Sequence, residues 1–182
     1  MEKFEDTEYK YDIALSYSSE ETELVEKIYY YLKAENISVF FAPSQEAQIE
    51  LSGRNQREAF YDIFGIKAEY VALFVSTSYI KREIPMEEAR IAYAKHSTER
   101  VLPICLGTAK LPKSLLDPDK INYFKSKDPA QIASHIAKKI KEEHKIDLKK
   151  RNLQKKSGTQ VIIEGNTAEK QVFVGSIGSI VL

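Results

Sequence analysis

Residues 70–76 read YVALFVS, an apolar run closed by a serine and the most continuous such run in the chain. A run of this kind marks a central strand covered on both faces. The segments around it alternate. YDIALSY, 11–17, is a second apolar run ending near Ser16, and ISVFF, 37–41, and RVLPICL, 100–106, are two more. KINYF, 120–124, is a short fifth strand. Helical spacing fills the gaps. Leu24, Ile28, Tyr31 and Leu32 predict a helix over about 20–35, opened by Ser18 with Glu21 three residues later as a capping box. Ala59, Phe60, Ile63 and Phe64 predict one over about 54–65. Another runs from Pro85 to about His96, and 128–143 starts with Asp128 as N-cap and Pro129 at the first helical position.

Strands and helices in alternation imply a parallel sheet with helices on both faces. The expected class is α/β, with a flavodoxin-like five-stranded parallel sheet. Ligands in such sheets bind beyond the carboxyl ends of the strands, at the point where strand order reverses. Those ends are Ser16–Tyr17, the stretch 42–53, and Ser76–Tyr79. APSQEAQIELSG, 42–53, shows no period and ends at Gly53, so it reads as a long loop, a class that is usually functional or disordered.

The 182 residues divide into a domain over 1–145, a basic linker or helix end at 146–156, and a C-terminal β hairpin or extended arm at 157–182. Residues 1–137 carry 17 Lys+Arg against 22 Asp+Glu, whereas 138–156 carry 9 against 3. The basic run reads first as a solvated helix end, and without interleaved aromatics a nucleic-acid partner is disfavoured. The tail holds two short β-like runs, VIIE and QVFVG. An isolated hairpin is marginal in water, so it needs a surface to dock on. No apolar run reaches the roughly 18 residues of a membrane span, and MEKFEDTEYK at the start lacks the apolar core of a signal peptide. A cytoplasmic location is expected. The single cysteine, Cys105, sits in an apolar run and reads as a buried, inert thiol. With three histidines beside it, ligands for a zinc cluster are too few and no metal is expected.

The stretch 80–95, IKREIPMEEARIAYAK, places two glutamates side by side at a helix start. At 100° per residue, Met86, Ala89, Ala92 and Tyr93 form the apolar side. Glu87 falls opposite them, able to pair with Arg90. Glu88 falls at their border, stacked between Ile84 and Ala92. Both residues suit a helix N-terminus as ordinary first-turn charges, but a carboxylate bordering apolar surface tends to a raised pKa, one route to catalysis.

Four stretches resemble the TIR (Toll/interleukin-1 receptor) domain, in order and over about residues 9–143. YDIALSYSSEE is similar to its first-strand motif. ISVFF with the following stretch resembles its second strand and BB loop. LSGRN, 51–55, resembles the Leu-Trp-Gly-Lys-Asp turn of one bacterial branch, with Ser52 in place of tryptophan. YVALFVSTSYIKREIPMEEARIAYA resembles the third strand and the Ser-x-x-Tyr…Trp-x-x-x-Glu signature that follows it. Ile84 fills the tryptophan position, and Ala42–Pro43 stands where many relatives carry an acidic residue.

The resemblance implies an NAD+ glycohydrolase or cyclase that cleaves the nicotinamide–ribose bond, with Glu88 catalytic. Ser16, Tyr17, Ser18, Phe41, Ala42 and Ile84 would border the substrate; for Tyr17 and Phe41, plain core packing is the competing reading. NAD+ would be the substrate, with no cofactor. The partners would be other TIR subunits, in a homo-oligomer or filament that completes the site, and the setting bacterial antiviral defence. The rival within the family is a non-catalytic adaptor binding other TIR domains. A phosphoacceptor receiver shares the strand order, but Ser16–Tyr17 and Ser76 stand where its acidic residues belong. No glycine pattern of a Rossmann or P-loop site occurs.

Overall fold

A computed structural model describes residues 9–159, 171–174 and 178–181. Two compact units divide the chain, Met1–Ile140 and Lys141–Leu182. In the first, β1 (Tyr11–Ser16), β2 (Val39–Phe40), β3 (Ala68–Val75), β4 (Val101–Cys105) and β5 (Phe124–Lys125) form one parallel sheet in the order β2-β1-β3-β4-β5. This is the doubly wound order expected from the sequence, with its reversal between β1 and β3. Helices α1 (Thr22–Ala34), α2 (Gln45–Leu51), α3 (Gln56–Asp62), α4 (Glu83–Lys95) and the part of α5 (Pro129–Thr159) up to Ile140 connect and cover it. No helix among the described residues is long and apolar enough to cross a membrane.

The run at 70–76 is apolar throughout because β3 is central. Side chains of a strand alternate between faces. Tyr70, Ala72 and Phe74 enter one core with Ile13 and Leu15 of β1, Ile28 and Leu32 of α1, and Ile132 and Ile136 of α5. Val71, Leu73 and Val75 enter the other with Phe64, Met86, Ala89 and Ala92. Register follows from the same burial: Ser16 of β1 pairs with Leu73, and Val75 with Cys105 of β4. Cys105 is buried, and its thiol donates to the carbonyls of Gly107 and Ala109.

Several local expectations are corrected. The stretch 42–53 is not an open loop, because α2 occupies Gln45–Leu51. Ser44 caps it, accepting from the Ala47 amide at 3.2 Å, and Ala47 is buried. Glu50, near its end, accepts from Lys10 and Lys67 at 2.7 Å each and from the Tyr11 hydroxyl. The capping box at 18–21 does not form. Ser18 donates to Glu20, a 3-10 turn covers Ser19–Glu21, and α1 begins at Thr22. At its other end α1 stops in a Schellman turn: the amides of Ile37 and Asn36 donate to the carbonyls of Leu32 and Lys33, and Asn36 takes φ 59° in the place usual for glycine. The next helix begins at Glu83 rather than Pro85, and the missing proline N–H falls among first-turn groups that have no helical acceptor anyway. The fifth strand is two residues, Phe124–Lys125, later than 120–124. The backbone of α5 runs through 146–156, a stretch rich in the good helix formers Lys, Leu and Gln.

In the second unit, β6 (Gln171–Val174) and β7 (Gly178–Val181) pair antiparallel, Gln171 opposite Val181. The expected run VIIE at 161–164 lies outside the described residues.

Glu50 supplies a stability test. Burial alone would raise its pKa, but hydrogen bonds from Lys10, Lys67 and Tyr11 outweigh it and bring the carboxyl down to about 2. A depressed folded-state pKa gives stability that is present above the ordinary carboxyl range and lost as pH falls through about 2. Glu50→Gln is expected to destabilise by about 2 kcal/mol at pH 7, with the gap to wild type closing in acid. Thermal unfolding at pH 7 and at pH 3 measures both.

Candidate active site

The turn after β3 builds the site. Ser76 Oγ accepts from the Tyr79 amide at 3.0 Å and meets Ser78 Oγ at 3.0 Å. This serine turn reverses the chain and sends Tyr79 inward, where it is 0% exposed. There its hydroxyl donates to the Pro85 carbonyl at 2.9 Å and lies 2.7 Å from Ser16 Oγ. Ser16 Oγ in turn lies 2.6 Å from Glu88 Oε2 and donates to it when the carboxylate is ionised. Three elements therefore converge: the end of β1, the turn after β3, and the first half of α4. The meeting point is the reversal between β1 and β3.

Glu88 is 8% exposed, and Ser16 and Ser18 are the other buried polar residues among those described. Burial pushes the Glu88 carboxyl up to about 8, and the Ser16 hydrogen bond restrains the rise. Glu87, its neighbour, pairs outward with Arg90 at 3.3 Å. The two adjacent glutamates are thus chemically different, one solvated and one enclosed.

The remaining sequence-nominated residues fall in separate places. Tyr17 stacks on Phe41 with centroids 5.8 Å apart, and Phe41 stacks on Tyr29 at 5.0 Å. Phe41 is buried in the core with α1, so packing accounts for its position. The Tyr17 phenol is raised by burial and then by the Glu88 charge. Ser18 donates to Glu20, whose carboxylate also takes Arg82. The Ala42 carbonyl accepts from Gln48 Nε2 at 2.7 Å. Ile84 is 46% exposed and does not share the enclosure of Glu88.

A cleft of about 720 Å³ opens beside the same turn, beyond the ends of β3 and β4. Glu20, Glu21, Ser76, Ser78, Gly107 and Lys127 are among its lining residues, and Glu88 is not one of them. Glu21 accepts from Ser78 Oγ at 3.0 Å through one oxygen, and its other oxygen is buried with no hydrogen-bond partner among the described residues. Sequence reasoning missed Tyr79 as a partner of Ser16, the residue that holds Glu88, and Glu21 as a wall residue. The signal for the first was Ser-x-x-Tyr at 76–79, a serine placed to turn the chain three residues before a tyrosine.

The TIR-domain family model matches residues 13–140. A 3′ cyclic ADP-D-ribose synthase of Aquimarina amphilecti, AaTIR, is 32% identical over 138 residues, covering 74% of this chain and 41% of that protein. The chain thus spans less than half the length of this curated relative. Among solved structures, a metazoan TIR-STING receptor from C. gigas superposes with TM-score 0.55 at 19% identity, over 72% of this chain and 40% of that one. The TIR domain of the Toll-related receptor TRR-2 from Hydra magnipapillata superposes with TM-score 0.52 at 17% identity, over 63% and 83%. The sheet order, the match across 13–140 and these relatives agree, and the chain belongs to the TIR-domain family.

Proposed function

We propose that this chain cleaves NAD+ between nicotinamide and ribose, with Glu88 as the catalytic carboxylate. The observation that carries the reading is the enclosed Glu88 carboxyl, held by Ser16 at the reversal of strand order. Nicotinamide leaves as a neutral molecule, so the reaction needs no general acid. Its barrier is the positive charge that develops on the ribose, as in sugar transfer generally. A carboxylate fixed in a low-dielectric site stabilises that charge far better than water does. Capture of the cation by water gives ADP-ribose, and capture from within gives a cyclic isomer. The similarity to a 3′ cyclic ADP-D-ribose synthase supports the cyclic outcome as part of the same chemistry.

The reading extends to self-association. At 8% exposure, Glu88 has too small a window to meet a ribose, so the walls around it must move before turnover. Contact with a second TIR subunit is the proposed cause of that opening, and antiviral defence the proposed setting, both drawn from the family resemblance. The 720 Å³ cleft beside the turn is of the size that holds a nucleotide, and would take the part of the dinucleotide away from the scissile bond.

The test is product analysis after incubation with NAD+, at dilute and at concentrated protein. The expected result is nicotinamide together with ADP-ribose or a cyclic isomer, at a specific activity that rises with protein concentration. NAD+ left intact at every concentration by folded protein would leave only the adaptor role.

A further inference from the structure

Three oxygen–oxygen contacts form a line: Glu88 Oε2 to Ser16 Oγ at 2.6 Å, Ser16 Oγ to the Tyr79 hydroxyl at 2.7 Å, and the Tyr79 hydroxyl to the Pro85 carbonyl at 2.9 Å. A carbonyl only accepts, so the last contact consumes the Tyr79 proton. The middle contact then needs the Ser16 proton. The first contact is left to be filled from Glu88 itself. All three close together only when Glu88 carries a proton and donates it to Ser16.

When Glu88 ionises, Ser16 turns its proton to the carboxylate, because a charged acceptor makes the stronger bond. Tyr79 then has one proton for two neighbours. One of its two contacts, to the Ser16 oxygen or to the Pro85 carbonyl, then goes without a hydrogen, between side chains that are fully buried. Ionisation therefore costs one buried hydrogen bond, and the competition of Tyr79 for the Ser16 proton favours the neutral acid.

We propose that Ser16 and Tyr79 are positioning residues that set the protonation state of the catalytic carboxyl from opposite sides, Ser16 favouring the carboxylate by donating to it and Tyr79 favouring the neutral acid by competing for the Ser16 proton. This rests on the reading of Glu88 as the catalytic group. Catalysis needs the carboxylate, so the Glu88 carboxyl must release its proton to solvent before or as the cationic pyridinium ribose arrives. The hydroxyl line ends at a carbonyl that cannot take up a proton, so the proton leaves from the Glu88 end.

The surroundings support this. The titratable groups facing Glu88 are Tyr17 after β1 and Tyr79 before α4, and both phenols are raised first by burial and then by the Glu88 charge. Tyr93 of α4 acts on Tyr79 in the same direction. All three are neutral at physiological pH. Among the described residues, no cationic side chain appears with burial and the Ser16 hydrogen bond as a cause of the Glu88 shift. Arg90 on the same helix is taken by Glu87.

The two hydroxyls act in opposite directions, which makes the proposal testable. Tyr79→Phe removes the competitor for the Ser16 proton, frees that proton for the carboxylate and lowers the Glu88 midpoint. Ser16→Ala removes the donor to the carboxylate and raises it. Each shift is expected to be about one pH unit. The measurement is a pH titration of the Glu88 carboxyl carbon by NMR in the whole chain labelled with 13C-glutamate, the resonance being assigned by its loss in Glu88→Gln. The pH profile of NAD+ turnover is recorded beside it. Opposite shifts of the carboxyl midpoint support the proposal. Midpoints that stay together, or move the same way, overturn it, and so does a wild-type midpoint in the ordinary carboxyl range. A merely structural role would lower the melting temperature of both variants and leave the midpoints alone. Because the carboxyl is read directly, absent turnover with opposite shifts would sink the enzymatic reading and spare the positioning roles of Ser16 and Tyr79, while robust turnover with unmoved midpoints would do the reverse.

Discussion

Glu88→Gln is expected to lower the turnover number for NAD+ by about 10³-fold, with the Michaelis constant changed only about threefold, whereas Glu87→Gln next to it leaves both unchanged. The glutamine keeps the shape of the side chain and its bond to Ser16 Oγ. What it loses is the charge that, in the proposed reaction, meets the ribose cation in the transition state. An interaction present only in the transition state is lost from the turnover number rather than from ground-state affinity. The comparison is made at pH 8–9, where the wild-type carboxyl, with its pKa near 8, is at least half ionised. Steady-state nicotinamide release across substrate concentrations reads both constants. A Glu88→Gln variant within tenfold of wild type would remove Glu88 from the chemistry.

The neighbouring control is informative because the two glutamates differ only by 100° of helix. Glu87 lies outward and pairs with Arg90, an i, i+3 contact that is worth little to stability. Equal losses in the two variants would point to a damaged helix start rather than to a missing catalytic charge.

How much of this was legible in the sequence depends on how local each cause is. The central position of β3 could be read because burial on both faces leaves an unbroken apolar run. Glu88 could be placed at the edge of the apolar face because Met86, Ala89 and Ala92 recur at helical spacing and are in fact buried. Its enclosure is deeper than that border position suggested, since Ser16 and Tyr79 close over it from elements outside its own helix. The role of Tyr79 was hidden for the same reason: its hydroxyl finds Ser16, 63 residues earlier, and no local pattern records that. Helix α2 was missed because seven residues with one buried side chain carry no period, and its anchor, Glu50, depends on Lys10 and Lys67 from the starts of two strands. The capping box failed because Ser18 and Glu21 each found another partner, Glu20 and Ser78. Spacing predicts where a cap is possible, and tertiary contacts decide whether it is made.

The same Glu88→Gln variant is expected to be more stable than wild type, by an amount that grows with pH. Wild-type Glu88 has a folded-state pKa raised to about 8, against 4.5 as its ordinary value. Between those limits the folded protein binds a proton that the unfolded chain has released. Its contribution to stability is therefore fully present below 4.5 and is lost as pH rises to about 8. The loss runs at about 1.4 kcal/mol per pH unit in that window. Glutamine cannot ionise, and its amide N–H donates to Ser16 as the neutral acid would, so the variant escapes the loss. Near pH 5 the two proteins should melt within about a degree or two of each other. By pH 8 the variant should lead by about 3 kcal/mol, or on the order of 10 °C in a chain of this size. Glu50→Gln runs the opposite way, losing stability at neutral pH and approaching wild type in acid, so the pair of variants guards against a general effect of removing acidic charge. Thermal unfolding of the three proteins from pH 5 to pH 9 makes the comparison. A constant difference between Glu88→Gln and wild type across that range would mean that Glu88 is already ionised at pH 5. Ser16 would then donate to Glu88 throughout that range, and Tyr79 would not be holding the Ser16 proton. A growing difference would show that the fold spends stability to keep a carboxyl where it does not want to ionise, which is what a group reserved for a cationic transition state requires.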